Sequence, residues 1–277
     1  MTEDRTPVRL IDIVDVSNST RCFRFMREDG RWVNFSPGQF YRFHFQDSKG
    51  AFERSYSLCN LGADVPQGAL DLVISKVQGG RATNLLFHCQ PGLKALVSGP
   101  YGRLVLPDSS PSHLLMVCTS VGIAPFLPML DQIYRLDPES FTGTRVSLLF
   151  GIRSPEDCLY RTYLQQLAGQ QPGFSVAFCF SQRLPEAESP SDFKGYVQER
   201  LKALPLNPES DLAYLCGNPH MIDESFSLLK SRGFVSRRVI REKYVFAREA
   251  GSPMKAATKL SDADKALLAE KISKYRK

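Results

Sequence analysis

The feature that most constrains this chain is a change of hydrophobic period near residue 110. Before it, apolar and polar residues alternate. Arg21–Arg27 sets Phe23 and Phe25 on one face against Cys22, Arg24 and Met26 on the other, and Gln39–Phe45 sets Tyr41, Phe43 and Phe45 against Phe40, Arg42 and His44. A period of two is the mark of a strand with one face buried. After it, apolar residues come in unbroken runs, as in His113–Thr119 and Val146–Phe150, separated by helical stretches. Such runs belong to strands covered on both faces. No single sheet satisfies both patterns. The 277 residues suffice for two cores at about 150 residues per domain, so the sequence predicts two domains, 1–110 and 111–250, with a tail at 251–277.

The first part reads as an antiparallel β-barrel. Val8–Val16, Leu70–Val77 and Leu93–Val97 continue the alternation, and Pro37-Gly38, Gly79-Gly80, Pro91-Gly92 and Gly99-Pro100 punctuate it. One short helix is expected from about Thr83 to His88, and the lone Trp32 is expected to pack in the barrel. Pro107–Ser112 reads as a linker. The second part reads as a doubly wound α/β domain: strands at 113–119, 146–150, 174–180, 212–216 and 234–240, with helices at 125–135, 155–167, 196–204 and 219–231. Right-handed crossovers then bring every strand C-terminus to one edge, where nucleotides bind.

Composition narrows the function classes. The net charge of +6 is too small to argue for nucleic-acid binding. Seven bases and three acids lie within 254–277, so +4 of that charge belongs to the tail. Seven widely spaced cysteines form no C-x-x-C, which removes the usual signatures of zinc and iron–sulfur sites and leaves reduced, mostly buried thiols. The four histidines form no metal-binding pair, so no metal is expected and they read as structural or solvated. Met1-Thr2-Glu3-Asp4-Arg5 has no apolar segment of a secretory signal, and no run reaches the ~18 apolar residues of a membrane helix. A cytoplasmic protein with no integral membrane segment is expected.

Five short motifs carry candidate chemistry. Arg54-Ser55-Tyr56-Ser57 joins an anion-binding guanidinium to an aromatic ring and hydroxyls. Gly79-Gly80-Arg81-Ala82-Thr83 opens the short helix with backbone amides and a hydroxyl facing outward. Gly99-Pro100-Tyr101-Gly102 closes the barrel. Thr119-Ser120-Val121-Gly122-Ile123-Ala124-Pro125-Phe126 joins the first apolar strand to a helix, where Gly122 allows close backbone approach. Cys216-Gly217-Asn218-Pro219 ends another strand on the ligand edge. No G-x-G-x-x-G fingerprint or G-x-S-x-G elbow is present at these turns.

In this order the motifs resemble the ferredoxin–NADP reductase family over roughly residues 7–246, and most of all its bacterial ferredoxin/flavodoxin reductases. The resemblance implies an FAD-binding barrel followed by an NADP-binding domain. It implies that Arg54, Ser55, Tyr56 and Ser57 bind FAD, with Arg54 on the pyrophosphate, Tyr56 packed on the isoalloxazine and Ser57 near flavin N5. Gly80, Arg81, Ala82 and Thr83 are implied to cradle the pyrophosphate, and Thr119 and Gly122 to contact the nicotinamide nucleotide. Cys216 is implied to lie near the nicotinamide C4 and Glu242 near the flavin, so that Ser57, Cys216 and Glu242 form the catalytic set. Tyr244 or Phe246 supplies the aromatic beside the flavin. Cys118 and Ser120 stand where the family usually has glycine, and the chain runs on past the family's aromatic ending.

Arg153, in Gly151-Ile152-Arg153, and Ser181 with Arg183 match the family's contacts to a 2′-phosphate, which favours NADPH. The expected function is hydride exchange between NADP(H) and FAD, coupled to single-electron exchange with a ferredoxin or flavodoxin by a monomer. The acidic carriers of that class suit a mildly basic surface. Two alternatives stay open: an NADH-dependent reductase component of an oxygenase, and a non-catalytic redox-sensing module that binds FAD. For the tail, a cover over the flavin face or carrier surface stands beside a surface helix without a role in turnover.

Overall fold

The computed structural model describes residues 5–244. Phe246 and the tail at 251–277 lie outside the described residues. The first half holds β1 (Thr6–Ser17), β2 (Thr20–Arg27), β3 (Phe40–Asp47), β4 (Gly50–Ser57), β5 (Ala69–Ser75), α1 (Arg81–His88) and β6 (Lys94–Tyr101). The six strands form one antiparallel sheet in the order β4-β3-β6-β1-β2-β5. The segment after β4 closes it. Cys59 N–H donates to Asp71 O at 2.9 Å, and the Asn60 amide bonds both Ala69 O and Asp71 N. Alternation governs what lies inside: Tyr41, Phe43 and Phe45 are buried while Phe40, Arg42 and His44 are only half-buried. Phe25 meets Phe43 edge to face at 5.1 Å, and Leu86 of α1 is fully buried in the same core. Each such side chain contributes roughly 1.5–3 kcal/mol of burial.

The second half holds β7 (His113–Thr119), α2 (Phe126–Asp131), β8 (Arg145–Ile152), α3 (Arg161–Gln170), β9 (Phe174–Phe180), β10 (Asp192–Lys194), α4 (Val197–Ala203), β11 (Asp211–Gly217), α5 (Pro219–Ser231) and β12 (Val239–Lys243). All its strands are parallel, in the order β10-β9-β8-β7-β11-β12. Leu114 to Cys118 of β7 are completely buried, because α2 and α3 cover one face of the sheet and α4 and α5 the other. The chain steps outward from β7 to β10, then returns to the far side of β7 for β11. That reversal opens a crevice between the C-terminal ends of β7 and β11.

The two sheets share a core. Cys59, Val73 and Leu104 from the barrel side pack with residues of the parallel sheet, and Tyr214 OH donates to Val105 O. Gly38 sits in this joint at φ +101°, where a Cβ would strike the Leu104 carbonyl and the Met129 side chain.

Several expectations need correction. Trp32 does not pack in the barrel: it is 67% exposed, on a polar loop. The helix expected at 125–135 is α over Phe126–Asp131 and then widens to a π-helical turn at Gln132–Leu136. The helix expected from 155 is a 3₁₀ turn at Pro155–Asp157, and α3 begins only after Tyr160, held at φ 55°. The last strand starts at Val239, because Ser236–Arg238 form a 3₁₀ turn. The short strand β10 was not expected.

Candidate active site

Residues from both sheets meet at the ends of β4, β11 and β12. Ser57 closes β4, opposite Phe40 of β3. Its Oγ donates to Glu242 Oε1 at 2.9 Å and accepts from Tyr244 OH at 2.7 Å, across 185 and 187 residues of sequence. Cys216 of β11 stands beside Glu242 of β12 in the parallel ladder and is wholly buried. Tyr244 N–H donates to Gly217 O, which ties the chain after β12 to the end of β11. The Gly99–Gly102 segment reaches the same point: a Cβ on Gly102 would stand 3.6 Å from Glu242 Oε2.

Burial governs the charges here. It pushes the Glu242 carboxyl above its ordinary range, and the hydrogen bond from Ser57 only partly opposes this. It pushes the Cys216 thiol up as well, and the Glu242 charge adds to the rise. Tyr244 is raised by burial first and then by Cys216 and Glu242. Burial thus disfavours the charged form of each of these groups, although Glu242 and Tyr244 are only half-buried.

The adjoining crevice is built by interlocked turns. Asn218 caps α5 through its side chain, which accepts from His220 N–H and Met221 N–H, and Pro219 fills the first helical turn. Asn218 N–H donates to Thr119 Oγ1 at 2.9 Å. A Cβ on Gly122 would lie 2.5 Å from Cys216 O, and one on Gly217 would lie 2.6 Å from Thr119 Oγ1. Both glycines are therefore required where the turns cross. Ser120, in a place where the family usually has glycine, adopts φ 51°.

Arg54 and Tyr56 lie half-buried on β4, beside exposed Ser55. Arg54 Nη1 donates to Glu53 O, and its guanidinium lies 5.7 Å from the Phe52 ring centre. At α1, Gly80 is the N-cap and no side chain caps the helix, so its first-turn amides are left for an anion. The side chains there are committed inward. Arg81 forms a bidentate pair with Asp47 and lies over Phe52, buried Thr83 bonds Val77 O and Gly80 O, and Ala82 is buried.

On the far side of the edge, Arg153 O accepts from Gln182 N–H and Arg183 N–H, and Ser181 N–H donates to Ile152 O. The backbone thus gathers Arg153, Ser181 and Arg183. Two residues that the sequence reading missed join them. Lys194 Nζ donates to Gln182 O, and Tyr196, two residues beyond the end of β10, is 64% exposed. The Lys-Gly-Tyr segment that ends a short strand was the available signal.

Comparisons with known proteins bear on the two domains that carry these residues. An oxidoreductase FAD-binding domain model matches residues 7–106, and an oxidoreductase NAD-binding domain model matches 116–225. Ferredoxin--NADP reductase B of Sorangium cellulosum (strain So ce56) is 30% identical over 213 residues, 76% of this chain and 81% of that protein. The chain belongs to the ferredoxin–NADP reductase family. It is an FAD- and NAD(P)-binding oxidoreductase, a flavoprotein of electron transfer. The family extends beyond ferredoxin reductases proper. The phenol hydroxylase P5 protein of Acinetobacter pittii (strain PHEA-2) is 27% identical over 246 residues, 88% of this chain and 66% of that protein. The fold matches a Neisseria gonorrhoeae ferredoxin NADP+ reductase solved with bound FAD and NADP, at TM-score 0.71 and 24% identity, covering 86% of this chain and 98% of that one. Within this family frame, Ser57, Cys216, Glu242 and Tyr244 come together in one cluster, while Arg153, Ser181 and Arg183 gather in another.

Proposed function

We propose that this protein exchanges hydride with NADPH and single electrons with a ferredoxin or flavodoxin carrier. Bound FAD supplies the conversion between two-electron and one-electron chemistry. The chain's own residues supply binding, orientation and a largely buried carboxyl. The uncapped first turn of α1, Gly80 to Thr83, fits a pyrophosphate through its backbone amides, and Arg54 lends it a positive charge. Tyr56 shares the cofactor face of β4 with Arg54, and Ser55 between them is a further contact from the opposite face. Ser57, Cys216 and Glu242 are the catalytic set, with Tyr244 beside them, and Phe246 remains a second candidate for the flavin-side aromatic. Thr119 and Gly122 receive the nicotinamide nucleotide at the crevice. Arg153, Ser181 and Arg183, with Lys194 and Tyr196, hold the adenosine end and its 2′-phosphate.

The observation that carries this reading is the Ser57–Glu242–Tyr244 junction. A carboxyl raised by burial and bonded to a hydroxyl from another sheet is costly to hold there and is what a functional site tolerates. Burial disfavours the charged form of Glu242, whose Oε1 accepts from Ser57 Oγ. Such pre-positioning suits a step that needs one fixed geometry.

A second reading has an oxygenase as the electron acceptor and NADH as the hydride donor; its oxygenase half is favoured by the Acinetobacter relative, which is named for phenol hydroxylase. Stopped-flow flavin bleaching with NADPH and NADH side by side, followed by electron delivery to ferredoxin and flavodoxin, separates the two. Faster bleaching with NADPH and onward transfer support the first reading; a preference for NADH moves the protein to the second. A purified chain that takes up no FAD overturns both. The reading includes a cytoplasmic monomer. All seven cysteines are free, and among the described residues no helix is long and apolar enough to cross a membrane.

A further inference from the structure

The nucleotide edge holds an acid as well as cations. The turn Pro155–Asp157 after β8 presents Glu156, whose carboxylate accepts from Arg183 Nη2. Both side chains are about half exposed, 49% for Glu156 and 54% for Arg183. The neighbouring acid, Asp157, is turned back to accept from Ser154 Oγ at 3.3 Å. Among the described residues Arg153 has no carboxylate partner, and Lys194 donates to a backbone carbonyl. Of the three cations on this edge, Arg183 alone is tied to an acid.

We infer that Glu156 is a specificity-determining residue: it competes with the 2′-phosphate for Arg183 and lowers the discrimination between NADPH and NADH. The inference rests on the reading of Arg183 as a 2′-phosphate contact. A 2′-phosphate dianion reaching Arg183 must displace or share the Glu156 carboxylate and is repelled by it. A nucleotide with a free 2′-hydroxyl meets no such penalty. The Glu156 carboxyl stays ionised, because its own backbone amide and Arg183 both hold it below the usual carboxylate range. The pair faces solvent, so the effect is modest and salt-sensitive.

Equilibrium binding of adenosine 2′,5′-bisphosphate and of 5′-AMP to the FAD-loaded protein tests this without turnover. Four proteins are compared: the natural sequence, Glu156→Gln, Arg183→Gln and the double variant. Glu156→Gln is expected to tighten the bisphosphate by about three- to tenfold more than 5′-AMP, the size of one exposed charge interaction with a dianion. That gain should shrink as salt rises from 50 to about 500 mM, and it should vanish when Arg183→Gln is added. If Arg183→Gln weakens the bisphosphate selectively while Glu156→Gln leaves the ratio unchanged or lowers it, Glu156 is no competitor and this inference falls alone. If Arg183→Gln has no selective effect, the 2′-phosphate reading of Arg183 falls, and the role of Glu156 falls with it.

Discussion

The cluster at Ser57 and the edge at Arg183 are built on opposite physical terms. Ser57, Cys216, Glu242 and Tyr244 come from both sheets, are linked side chain to side chain, and are driven toward neutral forms by burial. Arg153, Ser181, Arg183 and Lys194 are gathered by backbone hydrogen bonds, and their charged ends face water. In the first region electrostatics act in a dry setting and each group depends on the others. In the second, charges face solvent and are coupled only pairwise, as Arg183 is to Glu156. A substitution in the first should therefore change chemistry and pH behaviour together, while one in the second should change which nucleotide binds and little else.

The sharpest way to break the contrast is Glu242→Gln. If Glu242 holds a proton for turnover, flavin reduction should slow by at least about 100-fold, the usual weight of a positioned acid or base. The same change has a signed effect on stability. Burial raises the folded-state pKa of Glu242 above its unfolded value, so its favourable contribution is complete below about pH 4 and is lost as pH rises through the folded value. Glu242→Gln removes that loss. Relative to the natural sequence it should gain stability between about pH 4 and pH 8 in denaturant titrations. A difference that does not change with pH would mean the carboxyl is solvated, and the contrast would fail at its centre.

Next in size is Gly122→Ala. The added methyl meets the Cys216 carbonyl at 2.5 Å, and a backbone atom cannot rotate away. A loss of about 1–3 kcal/mol of stability is expected, together with weaker binding of both nicotinamide nucleotides, because the two crevice turns must part. Unchanged melting and unchanged affinity would show that the turns are not interlocked.

How much of this was legible in the sequence follows the same division. Alternation at Gln39–Phe45 and the unbroken run at His113–Thr119 are periodic, so the architecture of each half could be read directly. Three-residue β10 has no period to read. It pairs only with β9, and missing it also hid Lys194 and Tyr196. The end of the helix expected at 125–135 lies in a π turn, where Arg135 pairs with Asp131 one turn back; apolar spacing does not distinguish an α turn from a π turn. Trp32 lies between Arg31 and Val33, and it is Val33 and Phe35 that pack on the barrel core while the indole faces outward. The link from Ser57 to Glu242 spans 185 residues and leaves no trace in spacing; only the family resemblance pointed to it.

A third expected outcome belongs to the solvated edge. The double change Arg153→Ala and Arg183→Ala should raise KM for NADPH by about tenfold or more, with a much smaller change for NADH and little change in kcat. The NADPH effect should weaken in high salt, unlike that of Glu242→Gln. Equal effects on both nucleotides would remove the 2′-phosphate assignment and leave these arginines as solvated loop cations.

The smallest effect is expected where the two regions touch. Ser120 follows Thr119 at the crevice and holds φ 51°, a left-handed conformation that costs a residue with a Cβ about 1–2 kcal/mol. Glycine removes that cost but gives back part of it through a freer unfolded chain, about 0.4–1 kcal/mol. Ser120→Gly should therefore stabilise the protein by at most about 1 kcal/mol in denaturant melts. The Ser120 side chain is exposed and takes no part in the buried cluster, so the pH dependence of flavin reduction should not move. A clear loss of stability would show that the hydroxyl makes the turn and that this serine is more than a tolerated replacement for glycine. A shift in the pH profile would mean that the crevice turn and the buried cluster act as one unit, and the boundary drawn between dry and solvated regions would have to move.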